Sequence, residues 1–120
     1  MNVLSTDELN FFKAKGFLHL KGILSKDEIS DVDRDSLKLV EPRIWGPCDD
    51  DRWLYEKTKD NKQFLKRIDG IDSPDMPESF QVLLGKPKLL WAVHQLMEGD
   101  YFAASVQALV YKGAKYGKSL

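Results

Sequence analysis

The side chains best suited to metal or acid–base chemistry in this chain are few: His19, His94, Cys48 and the run Asp49, Asp50, Asp51. A mononuclear non-haem iron site takes two histidines and one carboxylate on one side of the metal, leaving positions open for oxygen and a keto acid. Neither histidine opens such a set, since the residue two places on is Lys21 after His19 and Leu96 after His94. Both read as structural histidines. The aspartates could attract a divalent cation, but consecutive carboxylates on a loop point in different directions and lack the spacing of a calcium loop. They read as a solvated acidic run. Cys48 is the only cysteine, which excludes an internal disulfide and a multi-cysteine zinc site. Its acidic neighbours disfavour a thiolate, so it is a poor nucleophile. No P-loop, dinucleotide-binding glycine pattern or Gly-x-Ser-x-Gly elbow occurs in the sequence.

The elements that would position these groups are legible in part. Ser5 to Glu8 has the spacing of a capping box, in which a hydroxyl satisfies a first-turn amide and the glutamate reaches back. A helix follows, with Leu9, Phe12 and Phe11 on its apolar face and Gly16 placed to end it. Residues 17–21 alternate, Leu18 and Leu20 against His19 and Lys21, which is the period of a half-buried strand broken by Gly22. A second capping box, Ser25 to Glu28, opens a helix carrying Ile29, Val32, Leu37 and Val40 up to Pro42. Residues 42–60 mix Pro, Gly, acids and aromatics and read as a loop with about one helical turn. Residues 64–68 form a short strand closed by Asp69 and Gly70, and Pro74 and Pro77 bracket a turn before a short helix over 78–84. Pro87 starts another helix whose Leu89, Leu90, Val93, Leu96 and Met97 recur at helical spacing until Gly99. Residues 100–112 alternate Phe102, Ala104, Val106, Ala108 and Val110 against Tyr101, Ala103, Ser105, Gln107, Leu109 and Tyr111. This is a long strand running into a glycine-bearing turn at 113–117.

With 120 residues, 42% hydrophobic and 31% charged, the chain fits one small soluble domain. Its formal net charge of −1 and its scattered lysines give no footprint for nucleic acid or an anionic membrane. The N-terminus carries acids and no continuous apolar run, so it reads as neither a signal peptide nor a membrane span, and a cytoplasmic location is expected.

The order of these segments carries a resemblance. The capped helix, Gly16 and Phe17, the strand, the second capped helix, the helix ending in Gly99 and Asp100, and the strand into Lys112 and Gly113 together resemble the N-terminal half of the phytanoyl-CoA dioxygenase family. The resemblance implies an α+β architecture over residues 1–120: the N-terminal helical layer and first strands of a double-stranded β-helix, or jelly roll, left incomplete. It implies Fe(II) and 2-oxoglutarate as cofactors and hydroxylation of a small-molecule C–H bond coupled to decarboxylation of the keto acid. The family's His-x-Asp metal motif comes after a strand such as the last one here, and the sequence ends at Leu120 before any such motif. The resemblance therefore assigns no metal ligand and no catalytic residue to this chain, which is expected to be inactive alone. On the cosubstrate side it points to Arg67, near where the family places a basic side chain facing the 2-oxoglutarate pocket. It also points to Gln107 or Ala108 on the last strand, with register deciding between them because neighbours face opposite ways. The expected partner is the missing C-terminal half or a partner chain. A catalytically dead binding or regulatory module, and an unrelated small α+β interaction domain, stand as alternatives.

Overall fold

The structure is a computed structural model describing residues 2–100, 102–103 and 107–112. The described residues form four α-helices and a small antiparallel sheet, an α+β arrangement. Helix α1 spans Thr6–Lys15 and α2 spans Lys26–Val40, continued by a 3-10 turn at Glu41–Arg43. Strands β1 (Trp45–Gly46), β2 (Trp53–Lys57) and β3 (Gln63–Asp69) follow, then α3 (Glu78–Leu84), α4 (Pro87–Leu96) and β4 (Ala108–Val110). No helix among the described residues is long and apolar enough to cross a membrane.

All four expected helices are present, and their end signals hold except in part at α2. Ser5 accepts from Glu8 N while the Glu8 carboxylate accepts from Ser5 N, so two free amides of α1 are met. Gly16 closes the helix in the left-handed region at φ 80°, which glycine adopts without steric cost. At α2 the box is only half made. Ser25 accepts from Glu28 N, but the Glu28 carboxylate turns outward and takes both 2.6 Å contacts from Lys86 Nζ at the start of α4. A charged partner from another element outcompetes the neutral backbone amide.

Two expectations for the strands fail. Residues 17–21 form no strand among the described residues, although Leu18 and Leu20 are half-buried and His19 and Lys21 exposed. Alternation fixes which side chains face inward, whereas a strand also needs a neighbour to hydrogen-bond. In residues 42–60, read above as loop, β1 and β2 appear because β3 supplies that neighbour on each edge.

β3 is the centre of the sheet, with β2 along one edge and β1 and β4 sharing the other at opposite ends. The β2–β3 register runs Trp53↔Ile68 and Leu54↔Arg67, then slips to Tyr55↔Leu65, leaving Lys66 as an extra residue. This bulge changes the pattern of burial. Residues 65 and 68 would face opposite ways on a regular strand, yet the extra residue puts both on one face, where each is fully buried. That face joins Trp53, Val40 of α2, Phe80 of α3 and Met76 in the core. Ile29 and Leu37, expected inside α2, are instead 52% and 44% exposed, and the inward row is Val32, Leu39 and Val40.

At the other end of the molecule, α1 packs on α4 and Gln95 fastens the N-terminal segment. Its Oε1 accepts from Val3 N at 2.6 Å and from Leu4 N at 2.8 Å. Of the long strand expected over 100–112, only Ala108–Val110 is strand among the described residues, and Asp100, Phe102, Ala103, Gln107, Tyr111 and Lys112 are not; Tyr101, Ala104, Ser105 and Val106, and the turn at 113–117, lie outside the described residues.

Candidate functional site

Opposed residues of an antiparallel pair share a face of the sheet. Arg67 lies opposite Leu54 on β2 and Val110 on β4, and Asp69 lies opposite Ala108. Beyond the bulge, Glu56, Phe64 and Trp45 fall on this same face. These side chains stand outside the core cluster, and Trp45 and Val110 remain 47% and 46% exposed. The sheet thus has one face covered by α2 and α3 and another carrying a cation, two carboxylates and an aromatic pair. Trp45 and Phe64 meet edge to face with their centroids 5.1 Å apart.

Register places the two alternatives on the last strand. Ala108 shares the face of Arg67; its small side chain leaves room there. Gln107 points the other way. With its side-chain amide nitrogen directed at Asp72 it donates to both carboxylate oxygens at 3.1 Å, while its backbone carbonyl accepts from Gly70 N at 2.9 Å. Gln107 therefore ties β4 to the loop after β3 and stands away from Arg67.

The guanidinium of Arg67 is engaged within the chain. Its Nε lies 2.8 Å from Asp69 Oδ1 and its Nη2 donates to Asp69 Oδ2 at 3.3 Å. Both residues sit on one face two positions apart, which makes the pairing geometrically easy. Arginine carries five donors, so this contact leaves others for a second carboxylate.

The residues singled out for metal chemistry are not brought together. His19 is exposed in the segment after α1, whereas His94 is half-buried on α4, edge-on to Trp91 at 5.3 Å. No group of three or more His, Cys, Asp or Glu among the described residues could hold a metal ion. Cys48 is half-buried against the core, its Sγ 3.6 Å from Asp50 O.

The acidic run is not uniformly solvated, and here the sequence reading needs correction. Asp50 is drawn into the fork of Arg52, which also grips Asp75, with Nη2 at 2.7 Å from an oxygen of each. The Arg52 guanidinium hydrogen-bonded to Asp50 holds that carboxyl down at about 2, and Asp75 is lowered by the same partner. Two guanidinium groups lie over the Trp53 ring, Arg43 at 4.8 Å and Arg52 at 5.5 Å from its centroid. Asp75 is remote in sequence, so spacing could not have revealed this clasp; the Asp-x-Arg step at 50–52 was its one local sign. Tyr55 donates its hydroxyl to Arg43 O at 2.6 Å, and burial is the largest cause raising its phenol to about 12.

Comparison with protein-family models, with curated proteins and with solved structures returned no match to this chain.

Proposed function

We propose that the chain is the N-terminal half of a phytanoyl-CoA-dioxygenase-like oxygenase, dependent on Fe(II) and 2-oxoglutarate and completed by a further polypeptide. The observation that supports this reading is the sheet face shared by Arg67 and Ala108, which stand diagonally across β3 and β4, outside the core and opposite the helical layer. A double-stranded β-helix sets its cosubstrate against such an inner face. The strands that would close the barrel are the proposed contribution of the completing half.

The described residues do not fit the iron, because the two histidines lie on separate elements with no third ligand grouped beside them among the described residues. In this reading the metal ligands therefore come with the completing half. The chain's own part is to hold a carboxylate of the keto acid. Arg67 supplies charge-assisted hydrogen bonds to it, and Ala108 keeps the adjacent space open. Asp69 already occupies part of the Arg67 fork, and this favours a second reading, a binding module in which the pair is purely structural.

Anaerobic iron titration and a succinate-release assay test the proposal, run on the chain alone and on the chain joined to whatever polypeptide is encoded directly after Leu120. The expected result is iron binding and succinate release from the joined protein only. Turnover by the chain alone would overturn its role as a half, and a joined protein that binds no iron would remove the oxygenase assignment.

A further inference from the structure

Where the end of α2 meets the clasp there is a cavity of about 370 Å³ whose walls include Lys38, Arg43, Arg52, Asp50, Asp75 and Trp53. Three cations and two carboxylates face it. Both carboxylates are bonded to Arg52, and Lys38 and Arg43 make no ion pair within 4.0 Å among the described residues, feeling only the more distant attraction of Asp35 and Asp50 respectively. Arg43 and Arg52 both lie against the Trp53 ring. Independently, the indole Nε1–H of Trp53 is buried with no acceptor among the described residues. A buried donor left unpaired is costly, and native structures meet nearly all of them. Excess positive charge and an orphan donor ask for the same thing, an oxyanion.

We propose that this cavity binds a phosphoryl group, with Lys38 and Arg43 as its principal cations. A dianion suits the site better than a carboxylate, because Lys38 and Arg43 both line the cavity without a close ion pair and a phosphate offers oxygens in several directions. The inference stands apart from the oxygenase reading, since the cavity lies on the helical side of the sheet. Lys38 also sits in the last turn of α2, where any cation offsets the carbonyl end of the helix dipole. A purely structural role of that kind predicts sensitivity to Lys38 substitution without dependence on ligand.

The test is a titration of the 15N-labelled 120-residue chain with inorganic phosphate, O-phosphoserine or acetate, following the indole N–H of Trp53 assigned by Trp53→Phe. A saturable shift with phosphate is expected. Binding should weaken about tenfold or more in Lys38→Gln and Arg43→Gln, as the loss of one charged hydrogen bond implies. Lys59→Gln, on the exposed turn between β2 and β3, should leave it unchanged. If Arg43→Gln fails to fold, Arg43→Lys keeps the charge and is expected to retain binding within a few fold. Tighter binding of O-phosphoserine would assign a phosphorylated side chain as the source, and tighter inorganic phosphate the free ion. No saturable shift at tens of millimolar, equal affinity for acetate, or equal affinity of Lys38→Gln and Lys59→Gln would overturn the proposal.

Discussion

Arg52 shows how far one side chain can set the pH response of a region. Asp50 and Asp75 are both lowered by it, Asp50 to about 2, against about 4 for an unstructured aspartate. A carboxyl depressed in the folded state contributes stability that is fully present above its unfolded value and is lost as pH falls through its folded value. The difference in melting temperature between wild type and Arg52→Gln should therefore be constant from neutral pH down to about 5 and then close between about 4 and about 2. A gap that stays open at pH 2 would refute the clasp. Gly46 offers a steric test, because a Cβ there would lie 2.5 Å from Cδ1 of Tyr55. Gly46→Ala is expected to cost about 1–3 kcal/mol in chemical denaturation, as overpacking does. On the proposed oxygenase reading, Arg67→Ala in the chain joined to its completing half should raise the 2-oxoglutarate requirement roughly tenfold to a hundredfold while sparing the primary substrate. Equal weakening of both would make Arg67 an ordinary strand residue.

Among the elements, the two capped helices make a matched experiment. Ser25→Ala should cost about 1 kcal/mol, the usual loss for a hydroxyl cap. Glu8→Ala removes the reach-back to Ser5, whereas Glu28→Ala leaves Lys86 without its carboxylate, so the second substitution should destabilise more in urea titrations. Equal effects would show that the Glu28–Lys86 contact does not link α2 to α4. The helices and β3 were legible because their signals are local: hydroxyl caps, Pro87 inside a first turn, glycines at the ends. β2 was not, because Trp53 and Tyr55 become a strand only through pairing with β3, and the bulge at Lys66 hides the face that joins Leu65 to Ile68. In residues 17–21 the opposite error occurred, since true alternation of burial was present without a ladder partner. For the site, sequence supplied Arg67 and left Gln107 against Ala108 open; pairing of Ala108 with Asp69 decides that question of face, and the same pairing exposes Asp69 as the internal competitor for Arg67.

Among the described residues β4 pairs with β3 alone, and Tyr111 N turns inward to Lys66 O. Alternation then directs the amides of Ala108 and Val110 to the free edge. Hydrogen exchange of the isolated chain should be slow at Leu109 and Tyr111 and fast at Ala108 and Val110, and a completing chain should slow the fast pair. Protection of all four in the monomer would show that the edge is already occupied. The Gln95 clamp on Val3 and Leu4 has a consequence of another kind, in the order of synthesis. No residue of α1 is buried, and the side chain that fastens its leading segment is made some ninety positions later. At about 5–20 residues per second a ribosome makes α1 on the order of ten seconds before α4 can receive it. During synthesis α1 therefore waits unfastened, open to chaperones and proteases, until Gln95 arrives.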